Sequence, residues 1–253
     1  MGRYENRKRR EKGKREKTDL ADYGNIGTAS ESNYLRIGIF GGTFNPVHLG
    51  HLRSAEEVRE AFALDRIYFV PAAQPPHKKT NALADAEHRL KMVKLAVADN
   101  PSFIASAIEL ERSGPSYSID TIRRFQTDLP DAVLFFILGL DAFREIHTWK
   151  EYTLIPSLCN LIVTSRPGLS TSSIDQFIPV ALQTTLWYDP ALKMYRHTSG
   201  HCLAFHEIQG LNISASQVRQ IVRQRKSLRY LVPSAVEAYI TEQIFYRNEE
   251  SQH

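Results

Sequence analysis

The sequence predicts an α/β chain: a doubly wound parallel sheet with helices on both faces and further helices at the C-terminal end. Two observations carry this. Short β-rich runs at Leu35–Phe40, Ile67–Pro71, Val133–Leu138 and Asn160–Ser165 alternate with stretches whose apolar residues recur at helical spacing. One of these runs, Val133–Leu138, is apolar without a break, as a strand covered on both faces must be. Repeated βα units make a parallel sheet, and such sheets bind ligands where strands run out into helices.

Leu35–Phe40 is the first strand and runs directly into Gly41 and Gly42. Residues 49–63 place Leu52, Ala55, Val58 and Phe62 on one helical stripe. Ile67–Pro71 is a second strand stopped by proline, and Leu90, Val93 and Val97 mark a helix over 86–98. Phe103–Ile108 alternates weakly as a further strand, and residues 117–127 read as helical. After the apolar strand a short helix follows Asp141. Asn160–Ser165 is closed by Arg166-Pro167-Gly168. Helices are expected at 172–180, 214–224 and 233–246, with Pro233 suited to the first turn of the last.

Composition narrows the class. The 253 residues are 42% hydrophobic and 24% charged, an ordinary globular balance with length for a sizeable core. The longest apolar run, Ala132–Leu140, covers about half of what a membrane span needs, so no membrane partner is expected. Two cysteines, Cys159 and Cys202, make no disulfide framework, which points to a reducing, cytoplasmic compartment. A homo-oligomer is compatible with this composition.

The net charge of +4 is unevenly spread. Residues 1–17 carry +6, residues 18–33 carry −3, and residues 34–253 only +1. Basicity therefore belongs to an N-terminal extension over 1–33, which lacks apolar periodicity and is expected to be disordered. It has no apolar segment of the kind a signal peptide requires. The domain itself is expected over 34–246, followed by a short tail over 247–253. Since the domain is nearly neutral, nucleic acid is not an expected partner, although the extension alone could contact it.

The loop after the first strand reads Gly41-Gly42-Thr43-Phe44-Asn45-Pro46-Val47-His48-Leu49-Gly50-His51. Glycines let a backbone approach a ligand closely. His48 and His51 are three apart, so they share one face of a first helical turn. A helix start already favours anions through its free N–H groups and its dipole, and two imidazoles add donors there. The pattern suits a polyphosphate. Zinc would want further ligands and a nearby glutamate, and neither a Walker loop nor a G-x-G-x-x-G occurs in the chain. Far downstream, Ile213-Ser214-Ala215-Ser216-Gln217-Val218-Arg219 offers a second helix start, with capping hydroxyls at Ser214 and Ser216 and Arg219 about one turn on.

These two segments resemble the HxGH and ISSTxxR signatures of the nucleotidyltransferase superfamily of adenylyltransferases. Further elements narrow the likeness: Pro75-Pro76-His77-Lys78, Asp85-x-x-His88-Arg89, Gly114-Pro115-Ser116-Tyr117-Ser118, Gly139-x-Asp141, Trp149 and Ser165-Arg166-Pro167-Gly168. Together they resemble the bacterial nicotinate-mononucleotide adenylyltransferases over residues 34–246. The resemblance implies a Rossmann-like nucleotidyltransferase fold and transfer of the adenylyl group of ATP to nicotinate mononucleotide. It implies His48, His51 and Arg219 as catalytic residues. ATP would be bound by these three together with Gly41, Gly42, Thr43, Phe44, Arg166, Ser214 and Ser216. His77, Lys78, Tyr117, Ser118, Asp141 and Trp149 would hold the mononucleotide, Trp149 by stacking on its ring. Mg²⁺ would arrive with ATP and have no dedicated protein site. Asn45 stands where many members carry Asp, and either residue can cap a helix.

The rival readings are an enzyme preferring nicotinamide mononucleotide or pantetheine phosphate, and a non-catalytic nucleotide-binding protein. A separate cluster, His197, His201, Cys202 and His206, has metal-ligand side chains. Strand alternation would put its members on opposite faces, which argues against zinc.

Overall fold

The computed structural model describes residues 34–76, 83–165 and 175–246. The N-terminal extension, the 247–253 tail, His77, Lys78 and Arg166 all lie outside the described residues. The elements run β1 (Leu35–Gly42), α1 (Leu49–Ala61), β2 (Arg66–Pro71), α2 (Ala86–Val97), β3 (Phe103–Ala105), α3 (Ser118–Asp128) and β4 (Ala132–Gly139). Then come α4 (Leu140–Arg144), α5 (Ile155–Leu158), β5 (Asn160–Ser165), α6 (Val180–Gln183), β6 (Leu186–Asp189), β7 (Met194–His197), β8 (Cys202–Glu207), α7 (Ala215–Arg223) and α8 (Ser234–Glu242). Short 3₁₀ turns occupy Ile146–Thr148, Tyr152–Leu154 and Asp175–Phe177.

The strands form one sheet in the order β3-β2-β1-β4-β5-β8-β7-β6. The first six in that order are mutually parallel, and β7 and β6 add an antiparallel edge. Side-chain alternation splits the core in two. Ile67, Phe69, Phe135, Ile137 and Ile162 face α1, α2, α7 and α8, while Ile37, Ile39, Leu134, Phe136, Leu138, Leu161 and Val163 face α3, α4 and α6. In β4 all five residues from Leu134 to Leu138 are buried, matching its unbroken apolar run. Each such side chain contributes about 1.5–3 kcal/mol on burial. Chain order reverses between β1 and β4, and a crevice forms at the carboxyl ends there.

Several boundaries differ from the sequence expectation. The strand expected over Phe103–Ile108 stops at Ala105, because the chain turns over Ala107, whose carbonyl accepts from both Leu110 and Glu111. The helix expected over 172–180 is, in its described part, a 3₁₀ turn followed by the four-residue α6. Strand β6 was not expected: Trp187 and Tyr188 are each 50% exposed, so this edge lacks a buried apolar signal. Helix α8 starts at Ser234, and Pro233 stands as its cap, outside the first turn. It ends at Glu242, ahead of the expected 246, and Ile244 and Tyr246 then take left-handed backbone angles.

Candidate active site

Between β1 and α1 the chain folds tightly over Phe44, whose φ is 47°. Its buried ring meets Phe40 and His51 edge-on, with centroids 5.8 and 5.1 Å apart. Gly42 is required by this packing, since a Cβ there would lie 2.9 Å from the tip of the Phe44 ring. The Asn45–Pro46 peptide is cis. His48 is the N-cap of α1. Its carbonyl accepts from the His51 N–H at 3.0 Å, and its own N–H donates to His51 Nδ1 at 3.2 Å. The two imidazoles stack with centroids 3.6 Å apart. Because Nδ1 of His51 accepts, the proton of the neutral ring resides on Nε2, leaving that atom a donor. Gly50 makes room for the pair: a Cβ there would come within 3.0 Å of the His48 ring.

The second helix start is built by hydroxyls. Ser214 caps α7, its Oγ accepting from the Gln217 N–H at 3.2 Å. Arg219, one turn in, donates to Ser216 Oγ at 3.1 Å and to the Asn45 carbonyl at 2.7 Å. One guanidinium thus ties the α1 and α7 starts together. Asn45 is not a helix cap. Its side-chain oxygen accepts from the Ala84 N–H at 3.1 Å and from the Tyr246 hydroxyl at 2.7 Å, so the loop is anchored to the C-terminal segment.

These groups face a cleft of about 1080 Å³ along the ends of β1, β4, β5 and β8. Gly41, Gly42, Thr43, Phe44, His48, His51, Asp141, Ser214, Ser216 and Arg219 all line it, as do Arg144, Thr164, Ser165 and the 208–213 segment. Among the described residues Asp141 is its single lining carboxylate, set against two arginines and two histidines. The balance favours an anionic ligand. Asp141 is exposed in the first turn of α4, whose cap is Gly139, so it does not cap that helix.

Of the described residues expected to hold a mononucleotide, Asp141 lines this cleft, whereas Tyr117, Ser118 and Trp149 stand apart from the lining. Trp149, half-buried, packs edge-on against Phe136 at 6.2 Å. Phe136 in turn lies 3.6 Å from where a Cβ on Gly41 would be, so its ring neighbours both the Trp149 indole and the cleft loop. Tyr117 caps α3, and its N–H is turned onto the Pro115 carbonyl at 3.1 Å. Ser118, the first residue of α3, has an amide with no partner one turn back. Lys150 Nζ stands 5.0 Å from the Tyr117 ring centroid and 3.0 Å from the Asp120 carboxylate, which brings the Trp149 segment beside the α3 start.

No sequence signal marks Arg89 as a structural tie, although it falls four residues before Val93 on the apolar stripe of α2. It is 1% exposed and donates to the carbonyls of Ala84, Thr43 and Ala73. Its neighbour His88 bonds the Tyr239 hydroxyl at 2.8 Å, joining α2 to α8. In the His197–His206 cluster, His197 and His201 both bond the Ser199 hydroxyl, whereas His206 meets the Phe62 ring edge-on. Burial lowers the pKa of both imidazoles. Among the described residues no three His, Cys, Asp or Glu side chains could hold a metal ion, and no helix is long and apolar enough to cross a membrane.

Comparison with known proteins agrees with this geometry. The cytidylyltransferase-like family model matches residues 39–221. A probable nicotinate-nucleotide adenylyltransferase of Geobacter sp. (strain M21) is 50% identical over 214 residues, covering 84% of this chain and 98% of the relative. One from Geotalea daltonii is 48% identical over 216 residues, 85% of this chain and 99% of the relative. The chain belongs to the cytidylyltransferase-like family and, within it, to the nicotinate-nucleotide adenylyltransferases. The Plasmodium falciparum nicotinic acid mononucleotide adenylyltransferase complexed with NaAD shares the fold, with a TM-score of 0.64 at 18% identity over 84% of this chain and 98% of that one.

Proposed function

We propose that this chain transfers the adenylyl group of ATP to nicotinate mononucleotide, giving nicotinate adenine dinucleotide and pyrophosphate, in the cytoplasm. The observation that carries the reading is the pair of helix starts facing one cleft and joined by Arg219. The nucleophile is a phosphate oxygen of the mononucleotide, already anionic at neutral pH, so no general base is needed. It attacks the α-phosphorus of ATP, the bond to the bridging oxygen breaks, and pyrophosphate leaves with the electron pair. Catalysis then reduces to in-line placement and stabilisation of charge on the leaving group.

His51, through its Nε2 donor, and His48 stand at the α1 start, while Ser214, Ser216 and Arg219 supply the α7 start. Gly41, Gly42, Thr43 and Phe44 form the strand-end loop that closes over the phosphates. Asp141 bonds ribose hydroxyls. The mononucleotide ring lies on Trp149, and its carboxylate meets the first-turn amide of Ser118. The sequence motifs add His77 and Lys78 for the mononucleotide phosphate and Arg166 for the adenosine. Mg²⁺ bound to ATP supplies further charge neutralisation on the phosphates. With Asp141 the one carboxylate lining the cleft among the described residues, the lining suits a metal that would arrive with the nucleotide.

Incubation with ATP, Mg²⁺ and one acceptor at a time tests this. Nicotinate mononucleotide should release pyrophosphate and form the dinucleotide, and pantetheine phosphate should not. Absence of pyrophosphate with every acceptor would favour a nucleotide-binding protein without transferase activity.

A further inference from the structure

Arg89 is the largest of the fully buried side chains, and its hydrogen bonds go to backbone carbonyls on three separate segments. It donates to Ala84 ahead of α2 at 2.7 Å, to Thr43 in the loop after β1 at 2.9 Å, and to Ala73 in the loop after β2 at 3.3 Å. The next residue, Gln74, is bonded twice to Ser116: its N–H donates to Ser116 Oγ at 3.1 Å, and its carbonyl accepts from the Ser116 N–H at 2.9 Å. Ser116 leads directly into Tyr117 and Ser118. A continuous path therefore runs from the phosphate loop, through Arg89 and the β2 loop, to the start of α3.

Burying a guanidinium is expensive, and a Met or Leu would fill the same space without that cost. What an apolar side chain cannot do is hold three carbonyls at once from one rigid fork. We propose that Arg89 is a positioning residue for adenylyl transfer, fixing the phosphate loop at Thr43 relative to the acceptor loop at Ser116 so that the two substrates meet in line. This rests on the function proposed above. Since each substrate touches only one of the two loops, loosening the tie leaves each free to bind alone and degrades their mutual alignment. Misplacement of this kind by about 1 Å can cost a hundredfold in rate.

The test compares wild type, Arg89→Lys, Ser116→Ala and the double variant. Turnover is measured with ATP and nicotinate mononucleotide, and binding of nicotinate mononucleotide and of a non-hydrolysable ATP analogue is measured separately by calorimetry. Arg89→Lys keeps the charge but cannot span three carbonyls. It should lower kcat about a hundredfold, with either single-substrate Kd changed by less than about threefold. Ser116→Ala should lower kcat about tenfold, and the double variant should be no slower than Arg89→Lys, because both act on one path. Unchanged kcat in either variant, losses that multiply in the double variant, or a kcat loss matched by weaker binding or a smaller folded fraction would overturn the proposal. Should Arg89→Lys fail to fold, Ser116→Ala decides alone by the same criteria. A wild type that makes no dinucleotide would instead refute the function, a different result from active wild type with equally active variants.

Discussion

Around the start of α1, Phe44, Asn45, Val47 and His48 are 6% exposed or less, whereas around α3 Tyr117 and Trp149 are half-buried and Lys150 is exposed. The half of the site proposed to hold the phosphates is locked from several sides. His48 and His51 brace each other, Arg219 joins two loops, and Tyr246 holds Asn45. The half proposed to hold the acceptor presents Tyr117, Trp149, the first-turn amide of Ser118 and a lysine engaged with Asp120. The difference separates chemistry from choice. Charge stabilisation in the transition state demands groups fixed in advance, while selection of an acceptor can rest on a few contacts at the rim.

Substitutions should respect that division. The largest effect is expected from His51→Ala, which removes a donor from the α1 start and should lower kcat about a hundredfold or more; steady-state kinetics of the purified variant check it. Gly50→Ala sets a methyl 3.0 Å from the His48 ring and 3.4 Å from the Ile213 carbonyl. It should displace the imidazole and lower kcat about tenfold while the protein stays folded, as activity and circular dichroism together would show. Trp149→Ala should act on the other half, raising the acceptor KM about tenfold with kcat nearly unchanged. A kcat loss of the His51→Ala kind would erase the contrast between the halves.

The smallest effect concerns Glu109, beneath the acceptor loop. Burial pushes its carboxyl above the usual range, although Thr121 bonds it at 2.6 Å. A carboxyl whose folded pKa is raised binds more protons folded than unfolded. Its stabilising contribution is therefore full below the ordinary carboxylate range and is lost as pH rises through the folded pKa. Glu109→Gln should remove that part of the pH dependence and leave Tm at pH 7 higher by about 1–3 °C. Melting curves from pH 4 to 8 would show whether the two proteins diverge upward of the usual carboxylate range.

Much of the fold was legible because the core strands announce themselves: the run from Leu134 to Leu138 is apolar on both faces, and the α1 stripe follows helical period. Strand β6 was not, since Trp187 and Tyr188 face solvent and the strand owes its place to pairing with β7. In the site, glycines and histidines close together in the chain declared the first loop, and Ser214 to Arg219 the second. Arg89 and Asn45 enter the sequence reading only through the family resemblance. Their partners lie 46 residues away at Thr43 and 201 residues away at Tyr246, which no short motif records.

The central claim is that the phosphate half performs the transfer and the acceptor half chooses nicotinate over nicotinamide. It is tested most directly by kcat/KM for the two mononucleotides in wild type and His51→Ala. A carboxylate satisfies protein N–H donors, whereas a carboxamide sets its own donors against them, at about 1–3 kcal/mol for each buried group left unpaired. The account predicts a preference for nicotinate mononucleotide of at least about tenfold in both proteins, with both rates lowered by the same factor in the variant. Equal use of the two acceptors by wild type, or a preference that changes when His51 is removed, would contradict it.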